Sequence, residues 1–267
     1  MISLSCNHPD LEEFLDIKTD VNNVTKANIS VRITDDFMKA VTTNSDYELC
    51  FVREETGEEI KKIINAREMF MKLAKNNWDF AEPGCLFWDT VSSWNLMSED
   101  PDFHYAGTNP CGEQPLPEFG ACLLGSLNLS EFVDDDGNFE MIKFYIAVND
   151  AVMALNEVLE EGENLHPLAE QRKTVHDLKQ IGLGVMGIAD MLIKMKLRYG
   201  SPESLRLCRR IAENLITSAT IASKCLAEEK GMFPKCKPDV IIQSPFLNNY
   251  ASSHMKEEIR KHGLRNS

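Results

Sequence analysis

Several common signatures are missing from this chain. No Cys-x-x-Cys pair occurs among its eight cysteines, and no His-x-His or His-x-x-x-His spacing among its six histidines. Zinc-ribbon, thioredoxin-like and histidine-metal readings are therefore poor, and no metal is expected. No run approaches the roughly 18 apolar residues of a membrane-spanning helix. The start, MISLSCNHPD, has neither the basic nor the apolar region of a secretory leader. Basic charge is scarce too. Twenty-eight Lys and Arg stand against 42 Asp and Glu, a net charge of −14, which argues against a nucleic-acid surface. Internal repeats and low-complexity linkers are absent.

What is present is a globular composition, 43 % hydrophobic and 26 % charged over 267 residues. A chain of that length can bury a sizeable core. A reducing, cytoplasmic setting is expected, with most thiols acting as small buried hydrophobes. The run Asp134-Asp135-Asp136 reads as a solvated turn.

Short apolar runs alternate with helical patterns. Strands are expected at 2–6, 27–33, 47–52, 85–88 and 121–129. Helices are expected from Pro9-Asp10 onward, after a Thr34 cap, and over 58–76, 139–161, 166–180, 188–195, 202–230 and 256–262. Residues 181–185 read as a strand or a helix start. Such alternation predicts an α/β fold with parallel strands and helices outside.

Ile181 to Asp190 contains Gly182, Gly184 and Gly187 in a GxGxxG pattern. A dinucleotide site needs a buried strand just before the glycines and an acidic strand end about 20 residues later. The preceding 171–180 segment is polar and helical, and Ser201-Pro-Glu203 opens a helix. A nicotinamide oxidoreductase is therefore the weak alternative. The plainer expectation is close approach of helix and sheet backbones at three small residues.

The segment TNPCGEQPLPEFGACLLGSLNL, 108–129, is rich in Pro and Gly and cannot be a helix. In an extended backbone Asn109, Cys111 and Glu113 would share one face, within about 7 Å of one another. A carboxylate beside a cysteine disfavours the thiolate, which counts against an ionic cysteine nucleophile. One-electron sulfur chemistry stays open, with the carboxylate as a separate base. A plainer reading makes this a loop with Cys111 buried, Glu113 solvated and Asn109 a turn residue.

Thr108-Asn-Pro-Cys-Gly-Glu-Gln-Pro-Leu116, followed by Gly120-Ala-Cys-Leu-Leu-Gly-Ser-Leu-Asn-Leu129, resembles the catalytic core of ribonucleotide reductase large subunits. The likeness extends to His8–Phe14, Asn28–Phe37, Ile181–Leu192 and His262–Ser267. It implies a ten-stranded α/β barrel of two five-stranded parallel halves, with a central finger loop. Residues 1–100 would end the first half-barrel, 101–120 form the finger loop, and 121–267 start the second half.

By the same resemblance, Cys111 matches the cysteine that becomes a thiyl radical and takes the ribose 3′ hydrogen. Glu113 matches the base for the 3′-hydroxyl, and Asn109 the amide that hydrogen-bonds substrate. The backbone of Asn109, Pro110, Cys111, Gly112 and Glu113 would line the ribose pocket. Cys122 matches one of the two cysteines that reduce the 2′ position. The GxGxxG run would belong to the barrel.

The implied activity is reduction of ribonucleoside di- or triphosphates to deoxyribonucleotides. Asn-Pro-Cys-Gly-Glu-Gln is most similar to the adenosylcobalamin-dependent class, with a di-metal radical subunit as the alternative. A thioredoxin- or glutaredoxin-type reductant is implied. The thiol partner of Cys122 is not assigned, Cys6 included, and the phosphate loop expected after Arg-Asn-Ser is not seen. The chain is therefore expected to be a fragment, inactive alone, that associates with itself or with further barrel segments. A non-catalytic interaction or regulatory fragment of the same fold is the other alternative.

Overall fold

The computed structural model describes residues 1–20, 22 and 24–267. Two units are distinguished, Met1–Ser93 with Tyr105–Pro115, and Trp94–His104 with Leu116–Ser267.

In the first unit the expected alternation is realised as β1 (Ile2–Ser5), α1 (Leu11–Asp16), β2 (Ile29–Ile33) and α2 (Asp35–Thr43). These are followed by β3 (Asp46–Val52), β4 (Glu59–Asn65), α3 (Ala66–Phe80), β5 (Gly84–Phe87) and α4 (Trp88–Ser93). Strand β2 lies between β1 and β5 in a three-stranded parallel sheet. Its side chains Ile29, Val31 and Ile33 are buried with Leu11, Leu15 and Leu49 in one core. Each such side chain contributes roughly 1.5–3 kcal/mol by leaving water. Thr34 caps α2 as expected, accepting the Phe37 N–H at 3.3 Å.

One assignment is corrected. The helix expected over 58–76 begins only at Ala66, because 59–65 is a strand paired antiparallel with β3 from Val52↔Glu59 to Asp46↔Asn65. Ile60, Ile63 and Ile64 are β-branched and favour a pleated partner over a helix. The hairpin turns near Gly57, whose φ of +69° suits glycine. The helix start is written at Asn65, which accepts the Glu68 N–H at 3.0 Å.

A short two-stranded ladder, β6 (Gly107–Thr108) with β7 (Pro115–Leu116), follows. Beyond it come β8 (Leu123–Asn128), α5 (Met141–Gly162), α6 (Ala169–Leu178), β9 (Ile181–Met186), α7 (Ile188–Lys194) and α8 (Pro202–Lys230). Three short helices, α9 (Pro238–Ile241), α10 (Pro245–Tyr250) and α11 (Ser253–His262), end the chain. The first two carry too few residues for periodicity to reveal. Helix α8 has the bounds that sequence predicts: Ser201 caps it, Pro202 opens it and Gly231 follows it.

Strands β8 and β9 pair in parallel from Leu123↔Ile181 to Asn128↔Met186. Against them Phe144 is fully buried, edge-on to Phe132 at 5.2 Å and to Phe139 at 5.6 Å. The acidic run forms the expected turn, with Asp134 Oδ1 accepting the Asn138 N–H.

The architecture is mixed α/β, with parallel strands flanked by helices and one antiparallel hairpin. Among the described residues the strands form four separate sheets and no closed barrel. No helix among them is long and apolar enough to cross a membrane.

Candidate active site

Asn109 organises the cysteine-bearing loop. Its backbone carbonyl accepts the Gly112 N–H at 3.1 Å and the Thr108 hydroxyl at 3.0 Å. Its side-chain oxygen accepts the Gln114 N–H at 3.0 Å. The Asn109-to-Gly112 bond closes a turn, and Gly112 completes it at φ +84°, a left-handed conformation that favours glycine. Leu86 Cδ2 lies only 3.7 Å from where a Cβ on Gly112 would stand.

This corrects the strand-period argument. Residues 109–112 are a turn rather than an extended run, so side-chain alternation does not apply. Asn109, Cys111 and Glu113 instead stand within five residues along one tight bend. Asn109 is half-buried, whereas Cys111 and Glu113 are exposed. The plainer expectation of a buried Cys111 fails, although Asn109 is indeed a turn residue.

Cys122 belongs to the second unit and immediately precedes β8. Its Sγ lies 3.4 Å from the Cβ position of Gly182 on the neighbouring strand. It borders a cavity of about 320 Å³ together with Leu159, His166 and Val175. Burial pushes the thiol up to about 11, so it stays protonated at neutral pH. The other thiols correct an expectation as well. Only Cys6 and Cys236 are buried, while Cys85, Cys111 and Cys225 are exposed and all eight are unpaired. Cys6 is a core residue whose Sγ lies 3.6 Å from Thr34 Oγ1.

The glycine run also differs from expectation. Gly182 and Gly184 are inside β9 rather than after a strand, and Gly187 joins β9 to α7 at φ +73°. A Cβ on Gly182 would meet Leu124 Cδ2 at 2.5 Å, and one on Gly187 would meet Asn128 Oδ1 at 2.1 Å. Both crowded positions are set by β8. Close helix–sheet approach occurs instead at Gly125, whose Cβ position is 3.3 Å from Leu155 of α5. Asn128 is thus structural: its side chain accepts the Ser130 N–H at 3.2 Å and hydroxyl at 3.0 Å.

Two clusters escaped sequence reading because their members are far apart along the chain. Arg265 donates to Glu160, to Asn156 Oδ1 at 3.3 Å and to the Gly231 carbonyl at 2.9 Å. Burial alone would raise the Glu160 carboxyl. Hydrogen bonds from Arg265, Asn156 and Lys230 outweigh it and hold the group at about 2. Glu228, Glu258 and His262 also converge, with ligand atoms within 4.8 Å. Lys224 Nζ already stands 3.2 Å from Glu228 and 3.7 Å from Glu258, supplying the positive charge there.

On a mixed α/β frame, one hydrogen-bonded turn thus carries a carboxamide, a thiol and a carboxylate within five residues. The chain belongs to the ribonucleotide reductase barrel-domain family, whose model matches residues 1–267. It is 38 % identical over 232 residues to a vitamin B12-dependent ribonucleoside-diphosphate reductase of Thermoplasma acidophilum, covering 86 % of this chain and 29 % of that protein. A reductase of the same description from Mycobacterium tuberculosis is 33 % identical over 235 residues, 88 % of this chain and 33 % of the other. The vitamin B12-dependent ribonucleotide reductase of Rhodopirellula baltica is 27 % identical over 256 residues, 87 % of this chain and 24 % of that protein. The chain thus spans a third or less of the length of these curated relatives.

Proposed function

We propose that this chain is the catalytic core of a larger ribonucleotide reductase subunit that makes 2′-deoxyribonucleotides by a radical route. The turn from Asn109 to Glu113 carries the reading. Cys111, at its tip, gives up a hydrogen atom, and the resulting thiyl radical takes the 3′ hydrogen of the ribose. Glu113 accepts the 3′-hydroxyl proton as the 2′-hydroxyl takes a proton from the Cys122 thiol and leaves as water. The Asn109 carboxamide oxygen is committed to Gln114, which leaves its Nδ2 to donate to substrate. Backbone groups of Pro110 and Gly112 line the ribose. Cys122 and a second thiol then supply two electrons and form a disulfide, and Cys111 returns the hydrogen atom to C3′, which regenerates its thiyl radical. Because burial keeps Cys122 protonated, it delivers a proton as well.

Adenosylcobalamin is the cofactor we assign to the whole protein, because the relatives carry vitamin B12 dependence in their names; a di-metal radical subunit is the alternative. The exposed Cys111 thiol fits a group that, when bound, supplies the initiating radical. Residues 1–100 would end one half-barrel, 101–120 form its finger loop and 121–267 begin the other half. Further strands would enclose the loop. Trp78, 89 % exposed in the first unit, and Ile142, 79 % exposed in the second, support association with those strands or with a second copy. A ribonucleoside di- or triphosphate is the substrate, a thioredoxin- or glutaredoxin-type protein the reductant, and the cytoplasm the setting.

The test uses the complete subunit with ribonucleoside di- and triphosphates, adenosylcobalamin and a dithiol. Deoxynucleotide formation is expected to depend on the cobalamin. It should fall by at least ~1,000-fold in Cys111→Ser, since no other group replaces the thiol. Turnover that survives that substitution defeats the proposal.

A further inference from the structure

We propose that Arg32 is a positioning residue that anchors the base of the cysteine-bearing turn. Arg32 sits on the central strand β2, in register with Ser5 on β1 and Leu86 on β5. This one rung reaches the loop at two points, from adjacent strands. Arg32 Nη1 donates to the Ala106 carbonyl at 3.3 Å, five residues before Cys111. Leu86 Cδ2 stands 3.7 Å from the Cβ position of Gly112, one residue after it. The sheet therefore grips the turn on both sides of its thiol.

The guanidinium is held for this contact. Its centre lies 5.2 Å from the ring centroid of Trp88, the first residue of α4. A planar cation stacked on an aromatic face keeps its donors in a fixed fork. The Nε–H is buried with no acceptor. An unpaired buried donor opposes folding, so this side chain is not arranged for stability alone. A buried unpaired group in a folded protein calls for an explanation beyond packing. The Ala106 carbonyl immediately precedes the strand-and-turn segment, and this contact ties it to β2.

The functional consequence rests on the reductase reading, whereas the anchoring does not. The test is hydrogen exchange read by mass spectrometry on the purified protein. Arg32→Met keeps an apolar stem over Trp88 and removes the donor. Exchange of amides in 105–115 is expected to rise about fivefold or more, with 29–33 unchanged and the melting temperature within about 2 °C. Arg32→Lys, which keeps a cation over the ring, should fall between the two. Trp88→Leu leaves Arg32 in place without its platform and should also loosen 105–115.

Unchanged exchange at 105–115 in Arg32→Met and Trp88→Leu overturns the proposal, as does a general rise across the unit with a lowered melting temperature. In the complete subunit kcat should drop while KM holds. A subunit with no reductase activity would sink the reductase reading and leave the exchange result standing.

Discussion

The carboxamide oxygen of Asn109 accepts the Gln114 N–H at 3.0 Å, so the side chain proposed to meet the substrate also closes the turn that carries Cys111. The two duties fall on different atoms of one amide and can be separated by substitution. Asn109→Ala removes both. It should loosen the turn by about 1 kcal/mol, read as faster exchange of the Gln114 amide. Asn109→Asp keeps the acceptor and loses the Nδ2 donor. Its turn should stay protected while turnover of the complete subunit falls by about tenfold or more. Equal protection in both variants would separate Asn109 from the turn.

The glycines of the GxGxxG pattern should behave unequally. Gly187 combines a φ of +73° with a Cβ position 2.1 Å from Asn128 Oδ1. Gly187→Ala is therefore expected to cost about 2 kcal/mol or more in urea unfolding. Gly184 has no neighbour nearer than 3.5 Å, an ordinary contact to Ser126. Gly184→Ala should change stability by less than about 1 kcal/mol. A titration with NAD should show no saturable binding, because these residues pack against β8 rather than opening a phosphate cradle.

Glu160 makes the second unit acid-sensitive. Its carboxyl is held at about 2 in the folded chain against an ordinary 4.5. Depression of an acid's folded value stabilises above the unfolded value, and the contribution is lost as pH falls from about 4.5 toward about 2. The gap is worth on the order of 3 kcal/mol. Urea midpoints measured between pH 6 and pH 2.5 should therefore decline, and Glu160→Gln should flatten the decline. An identical slope in the variant would assign the acid sensitivity to other carboxylates.

Cys122 should alkylate slowly at pH 8. With its thiol at about 11, raised by burial, the thiolate is about one part in a thousand there. Labelling by iodoacetamide, followed on the Cys122 peptide, should rise about tenfold per pH unit up to roughly pH 10. A flat rate between pH 7 and pH 9 would mean that the thiol is not desolvated as its place beside Gly182 implies.

Much of the local structure was legible from residue order. Thr34, Ser201 and Pro202 mark helix starts, Gly231 marks an end, and each sits where the capping chemistry puts it. The Asn109–Cys111–Glu113 constellation stood out by residue type, and the family likeness rested on the same stretch. The 59–65 segment was misread because three isoleucines fit a helical face as well as a strand, and only pairing with 46–52 decides between them. Gly182 to Gly187 likewise needed a partner strand before its meaning was visible.

Residue order alone determined the chemistry on offer: which thiol, acid and amide stand within five residues, and where helices begin. Those choices follow from short-range sterics and hydrogen bonding, which a sequence displays directly. Tertiary structure alone decided that the five residues bend into a turn, that β2 and β5 brace it through Arg32 and Leu86, and that Cys122 is desolvated beside Gly182. These depend on groups separated by tens of residues, and burial and register exist only once distant segments have met.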